Sequence, residues 1–141
     1  MAIHGLNPYL ILDGTAEKAI RHYERALGAK VEGIMRYSEM PGEKVDPAYV
    51  NQIIHAALQI GGGMLMVSDA GPGSQVASDT NVHVCLQFED PTDVAKKFEA
   101  LAEGGQVTMP LADTFWGARF GMLTDAYGIR WMFNAQLNKA Q

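Results

Sequence analysis

The chain has 141 residues, of which 48% are apolar and 19% charged, with a net charge of -5 and a single cysteine. This length fits one domain, which can bury about two thirds of its unfolded surface without disulfides or metals. The acidic balance, with no basic run longer than Lys96-Lys97, argues against nucleic acid and anionic membranes as partners. The sequence shows neither a secretion signal nor an apolar run of about 18 residues, so we expect a soluble cytoplasmic protein.

The first half of the sequence predicts the order strand, helix, strand, strand, strand. The helix begins after Thr15, a residue type that caps helices, and ends at Gly28; its apolar residues recur at helical spacing and leave His22 on the solvent side. Residues 40–47 form a breaker-rich loop, and the glycines at 61–63 join the last two strands as a hairpin. The predicted strands are 3–12, 31–39, 50–60 and 64–68.

The second half repeats this order after a small, polar stretch. Asp90 lies 77 residues after Asp13, and Gly104 lies 76 residues after Gly28, which puts the two predicted helices in register. The second helix is expected to begin at Asp90 with Pro91 at its first position. The predicted strands of this half are 81–89, 106–111, 115–124 and 129–134.

This repeated order predicts an α+β fold of two βαβββ modules. The helices would cover one face of each curved mixed sheet, and the other face would line a cavity. The first module is predicted to span residues 1–69 and the second residues 80–141. A linker at 70–79 would join them into one domain.

His55 is the first candidate for a functional side chain. It lies with Gln59 on the more polar face of predicted strand 50–60, whereas Ile54, Ala56 and Leu58 form the apolar face. An imidazole in a cavity acts as acid, base, ligand or hydrogen-bond donor near neutral pH. The alternative is a partly buried histidine that bonds to a neighbouring strand or to water.

Arg119 is the second candidate. It alternates with Gly117 and Gly121 along predicted strand 115–124, which would leave its guanidinium in a gap suited to an anion or carboxylate. Apart from Glu89, no obvious carboxylate is expected on the cavity face, so a ligand would supply the negative charge. In the alternative, the glycines mark a sharply curved strand and Arg119 lies flat over an apolar surface.

Flat and flexible side chains supply the remaining candidates. Tyr9 and Trp116 offer rigid aromatic surfaces for a conjugated ligand, and Gln87 lies on a polar strand face as Gln59 does. The eight methionines would form cavity walls that adapt to a ligand, or equally a loosely specified core. Cys85 has no adjacent base in the sequence, so we expect a buried structural thiol.

Two strings of the second half resemble the vicinal oxygen chelate superfamily, which includes glyoxalase I, bleomycin resistance proteins and extradiol dioxygenases. They are H-V-C-L-Q-F-E-D at residues 83–90 and D-A-Y-G-I-R-W at residues 125–131. The resemblance covers nearly the whole chain and implies a ligand cavity enclosed by the sheets, usually in a homodimer. Further strings are similar to its PhnB-like branch, at residues 7–10, 13–14, 55–56, 61–63, 68–69 and 114–121.

The same resemblance implies where a metal would bind. Metal-using members place one ligand near the start and one near the end of each module, and His83 occupies the first position of the second module. The corresponding positions elsewhere hold Leu6 and Met132, and strand 64–68 has no carboxylate. A thioether does not replace an anionic oxygen for a divalent ion. No cofactor is therefore expected, and His83 is the single candidate metal ligand.

Together these features predict a PhnB-like protein that binds a small anionic or aromatic molecule in the sheet cavity of a homodimer, without a complete metal site. The alternative is a lyase, isomerase or dioxygenase of glyoxalase type, in which a divalent metal binds two adjacent substrate oxygens. The predicted catalytic residues are His55 and Arg119, and the predicted ligand-binding residues are Tyr9, Gln59, Gln87 and Trp116.

Overall fold

The computed structural model describes residues 2–40, 45–71, 74–77 and 80–137. The chain divides into two compact units, Met1–Ala77 and Ser78–Gln141. The first unit contains β1 (Tyr9–Leu12), α1 (Ala16–Leu27), β2 (Lys30–Arg36), β3 (Ile53–Ile60) and β4 (Gly63–Asp69), with a 3-10 turn at Tyr37–Glu39. The second contains β5 (Val84–Phe88), α2 (Val94–Ala102), β6 (Gln106–Asp113), β7 (Ala118–Thr124) and β8 (Arg130–Gln136).

Each unit has the predicted order βαβββ and forms one four-stranded mixed sheet. The strand orders are β1-β4-β3-β2 and β5-β8-β7-β6. In each sheet the first strand pairs in parallel with the last, and the other neighbours are antiparallel. The α+β prediction is confirmed. Parts of the predicted linker (72, 73, 78 and 79) and of the predicted loop (41–44) lie outside the described residues. Within the described part of the chain, neither helix has the length and hydropathy to span a membrane.

The core of the first unit lies between α1 and one face of its sheet. The helix buries the predicted apolar stripe, including Ile20 and Tyr23, and packs against β2, β3 and β4. Strand alternation sends a second set of side chains to the opposite face, which we call the helix-free face. The buried strand residues on the helix side include Leu10, Leu12, Ala56, Leu58, Leu65 and Val67.

A buried carboxylate joins α1 to β3. Asp69, which is 3% exposed, accepts hydrogen bonds from the Ala16 amide at 2.9 Å and from the Ile53 amide at 3.0 Å. Thr15 occupies the N-cap position of α1, as predicted, but its hydroxyl makes no cap hydrogen bond within the described residues. The carboxylate satisfies the first helical amide instead. Gly28 ends the helix in the left-handed conformation, as predicted.

A bulge in β3 corrects the predicted faces of that strand. Met35 of β2 pairs with His55, and the next residue of β2, Arg36, pairs with Ile53. Ile54 is therefore the extra residue of the bulge. Ile53 is fully buried and Ile54 is not, the reverse of the predicted alternation. His55 keeps its predicted side of the sheet.

The core of the second unit lies between α2 and one face of its sheet. Phe98 of α2 meets the ring of Phe133 on β8 edge-on, with centroids 5.0 Å apart. A methyl group at Gly121 of β7 would lie 3.0 Å from Phe98, so this glycine allows the close approach of the helix. The expected helix start at Asp90 was wrong: Asp90 accepts from the Thr92 amide in a turn, and α2 begins at Val94.

Two single-residue expectations are also corrected. His22 is 6% exposed, not solvated, because the buried stripe of α1 is wide enough to include it beside Ala19 and Ala26. Cys85 is exposed, not buried, because it faces away from α2. Partial desolvation nevertheless raises the pKa of its thiol.

Candidate functional site

The helix-free face of the first unit carries the leading candidate, His55. Residues that pair across neighbouring strands share a face of the sheet. Tyr9 pairs with Met66, and Met66 pairs with Ala57, so these three residues lie on the helix-free face. His55 lies two residues before Ala57 and opposite Met35. The remaining side chains on this face include Ile11, Met64 and Gln59.

His55 and Tyr9 are brought together on this face. The Tyr9 hydroxyl lies 2.8 Å from Nδ1 of His55, and the two ring centroids are 5.6 Å apart with the planes tilted by 53°. Because β4 lies between β1 and β3, this hydrogen bond spans one whole strand. This hydrogen bond therefore orients the ring of His55 through Nδ1, and Nε2 is the ring nitrogen that remains for a second hydrogen bond.

The surroundings of this pair are apolar and open. Tyr9 is 44% exposed, Ile11 47% and Met35 49%. Large apolar side chains exposed together on one sheet face commonly mark a binding surface. Gln59 lies at the edge, where its amide approaches the carbonyl of Gly61 at 3.5 Å in the β3–β4 turn.

Gln87 and Trp116 line the same groove of the second unit. The groove has a volume of ≈ 650 Å³. Gln87 accepts a hydrogen bond from the Asn134 side chain at 2.8 Å on the helix-free face of β5 and β8. Trp116 is 58% exposed and contacts Phe115 and Phe120 edge-on. The lining is completed by Phe88, Glu89, Gly117, Ala118 and Gln136.

His83 lines a different groove, of ≈ 680 Å³, with Met122 and Asp125 among its neighbours. Asp125 is buried and already accepts hydrogen bonds from the Trp131 indole and from the amides of Tyr127 and Ile129. The described residues contain no group of three His, Cys, Asp or Glu side chains that could hold a metal ion. The side chains around His83 therefore do not fit the oxygen-rich ligand set of a divalent metal.

Arg119 has a partner within the chain. Its Nε donates to Asp113 at 2.8 Å, so the expectation that a ligand would supply its negative charge was wrong. This hydrogen bond lowers the pKa of Asp113 and raises that of Arg119. Arg119 also alternates with Phe120 and shares a face with Gly121, the glycine that contacts α2. It therefore projects on the helix side of its sheet, away from Gln87 and Asn134.

Comparison with known proteins gives a consistent match. The sequence model of the Glyoxalase/Bleomycin resistance protein/Dioxygenase superfamily matches residues 5–133. The protein YjdN of Escherichia coli (strain K12) is 33% identical over an alignment of 138 residues, and the match covers 92% of this chain and 93% of YjdN.

Two solved structures agree with that match. The crystal structure of protein PA1353 from Pseudomonas aeruginosa is 35% identical with a TM-score of 0.86, covering 96% of this chain and 100% of that one. The PhnB protein from Bacillus cereus is 25% identical with a TM-score of 0.75, covering 94% and 99%.

Proposed function

Since the chain belongs to the Glyoxalase/Bleomycin resistance protein/Dioxygenase superfamily, we propose that it binds a small planar molecule through the His55–Tyr9 pair. The ligand would carry at least one oxygen acceptor, as a carboxylate, phenolate or carbonyl does. Its flat apolar body would lie on the exposed side chains of the helix-free face of the first unit.

The hydrogen bond between Tyr9 and His55 carries this proposal. When the tyrosine hydroxyl donates to Nδ1, the neutral imidazole holds its proton on Nε2 and presents a donor to the ligand. A polar group covered by a ligand costs free energy unless the ligand bonds to it, so an oxygen acceptor is favoured over a plain hydrocarbon. The neighbouring Met64, Met66 and Met35 can adjust to ligands of different shape.

Gln87 and Trp116 are proposed as a further ligand-contacting group in the second unit. The Gln87–Asn134 amide pair offers both donors and acceptors, and the exposed indole of Trp116 offers a flat surface in the same groove. Arg119 is left out of the proposed site because Asp113 already neutralises its charge.

Binding, not metal-assisted catalysis, is the activity proposed. The described side chains do not supply the ligands of a divalent metal, so no reaction step is assigned to one. The B. cereus protein is described as a candidate 3-demethylubiquinone-9 3-methyltransferase. A quinol ring falls within the ligand class proposed for this chain. Methyl transfer is not proposed, because Gly61 and Gly62 lie in the β3–β4 hairpin and not in a strand-to-helix loop of the kind that cradles a nucleotide cofactor.

We further propose a homodimer in the cytoplasm. Large exposed apolar side chains outside the proposed ligand site, including Phe115 and Val107, support burial against a second copy. The single cysteine supports a reducing compartment.

Isothermal titration with three naphthalene probes tests the ligand site. 2-Naphthoate and 2-naphthol carry the oxygen that His55 would recognise, and naphthalene lacks it. His55→Ala should weaken 2-naphthoate binding by about 10-fold or more, the loss expected for one charge-assisted hydrogen bond. Tyr9→Phe removes only the hydroxyl and should have a smaller effect in the same direction. Naphthalene binding should respond to neither variant.

His4→Ala is the matched control, because it removes an exposed imidazole that lies outside every strand. Absence of saturable 2-naphthoate binding to the wild type would reject the proposed ligand class. Equal affinity of wild type and His55→Ala would reject His55 as its recognition residue.

A further inference from the structure

The groove that Gln87 and Trp116 line in the second unit carries one formal charge. Glu89 directly follows β5 and lines this groove, and none of the other described side chains in its lining is ionisable. The volume of ≈ 650 Å³ falls within the range of small-molecule pockets. A ligand in this groove would therefore meet one carboxylate and, among the described lining residues, no basic group.

A series of contacts holds the indole of Trp116 beside the amide pair. Gln87 bonds to Asn134 at 2.8 Å, and Asn134 pairs across the sheet with Phe120. The ring of Phe120 lies 6.1 Å from that of Trp116, and Phe115 meets the same indole edge-on at 5.1 Å. Although two rings pack against it, Trp116 is 58% exposed. More than half of its surface is therefore open to a ligand.

The polar groups of the groove are suited to a positive charge. Asn134 uses one N–H of its amide to bond to Gln87, which leaves its Oδ1 oxygen as an acceptor. The ionised carboxylate of Glu89 also only accepts hydrogen bonds. An anion would be repelled by this carboxylate, whereas a protonated amine could donate to both groups.

We propose that this groove binds a small organic cation, in which an ammonium group is attached to a flat aromatic body. The proposal rests on the assignment of Gln87 and Trp116 as ligand contacts and adds the charge of the ligand. Indole is the aromatic side chain that attracts a cation most strongly, and Glu89 adds an ion pair. The net charge of -5 favours the approach of cations over that of anions.

The two units would then recognise ligands of opposite polarity. The Tyr9–His55 pair presents an N–H donor to a ligand oxygen, whereas Glu89 and Asn134 present acceptors to a ligand N–H. Probes with the same aromatic body can therefore separate the two sites. 2-Naphthylmethylammonium is the cationic probe, and 2-naphthylmethanol is its neutral counterpart.

Isothermal titration of the full-length protein at neutral pH tests the proposal. The cation should bind about 10-fold or more tightly than the alcohol, and added sodium chloride should weaken the binding of the cation more. Glu89→Gln removes the charge but keeps the shape, and it should weaken cation binding by about 5-fold. Trp116→Leu keeps an apolar side chain and should weaken cation binding by about 10-fold, with a smaller effect on the alcohol. The Glu89→Gln result does not depend on whether Trp116→Leu folds.

Glu103→Gln is the matched control, because it removes an exposed carboxylate of the same unit at the end of α2. Its affinity for the cation should equal that of the wild type, and saturating 2-naphthoate should not displace the cation. Equal affinities for the cation and the alcohol would overturn the proposal, as would a loss in Glu89→Gln no larger than that in Glu103→Gln.

Competition between 2-naphthoate and the cation would place both in one site and would also overturn the proposal. The outcome for the first unit is separate. If 2-naphthoate binds and 2-naphthylmethylammonium does not, the cation groove is rejected and the role of His55 stands. If only the cation binds, the groove stands and the ligand class proposed for His55 is rejected.

Discussion

Replacement of Asp69 by asparagine tests how the first unit is held together. The side chain is buried, and each carboxylate oxygen accepts one backbone amide: Oδ1 from Ala16 at the start of α1, and Oδ2 from Ile53 at the start of β3. Asparagine has the same shape but only one acceptor oxygen. Its amide group must therefore face one of the two N–H donors.

The magnitude follows from those two contacts. A hydrogen bond to a charged acceptor contributes about 1.5–3 kcal/mol, and a buried N–H left without a partner costs about 1–3 kcal/mol. The carboxylate also faces the positive end of α1, which adds about 0.3–1 kcal/mol. Because asparagine retains one of the two bonds, Asp69→Asn should destabilise the protein by about 3 kcal/mol.

Urea unfolding monitored by circular dichroism measures this change. With a slope of about 2 kcal/mol per molar, the midpoint should fall by about 1.5 M. Asp46→Asn is the matched control, because Asp46 is exposed and, among the described residues, its carboxylate accepts one hydrogen bond, from the loop amide of Ala48. A midpoint shift for Asp69→Asn no larger than that for Asp46→Asn would refute the structural role assigned to the buried carboxylate.

Four further outcomes are expected. Gly121→Ala should destabilise the protein by about 1–3 kcal/mol in the same urea assay, because its methyl group would press on Phe98. Gly33→Ala is the control, since a methyl group there meets no described atom within 4 Å. Equal unfolding midpoints for the two variants would contradict this packing. Hydrogen bonds from Arg36 lower the pKa of Glu17 in the folded protein. The ion pair therefore stabilises the fold at pH values above the pKa of glutamate in the unfolded chain. This contribution is lost as the pH falls through the lower pKa that Glu17 has in the folded protein. The difference in unfolding free energy between wild type and Glu17→Gln should shrink between pH 7 and about pH 3; a constant difference would disprove the linkage. Elemental analysis of the purified protein should find no stoichiometric zinc, nickel, iron or manganese, and about one such ion per chain would reverse the metal prediction. Sedimentation equilibrium should find a dimer of the 15.3 kDa chain, and a monomer at micromolar concentration would count against it.

The order of elements was readable from the sequence because it depends on local periodicity. The stripe of α1, including Ile20 and Tyr23, repeats at helical spacing, and the same residues are buried in the structure. Glycine in the left-handed conformation ends α1 at Gly28, where the sequence placed the boundary. Both signals lie within the helix itself, so a single sequence contains them.

Features that depend on distant residues could not be read in the same way. Asp69 lies 53 residues from the helix amide it binds, and Tyr9 lies 46 residues from His55. The sequence identified both members of the second pair as candidates but contained no sign that they touch. That contact follows from the parallel pairing of β1 with β4, which places β1 one strand away from β3.

The glycines around Arg119 alternate with it as the sequence indicated, but they do not form the anion pocket that this alternation suggested. Gly117 has a positive φ of 83° in the turn before β7, and Gly121 is where α2 approaches the sheet. Gly117 is therefore explained by the backbone of the turn and Gly121 by the packing of α2, and neither glycine makes space for a guanidinium. Arg119 bonds across the strand pair to Asp113, a residue that the sequence placed after the end of its strand. Because β6 continues two residues further than predicted, it brings this carboxylate opposite Arg119, and the charge that suggested an anion site is neutralised within the protein.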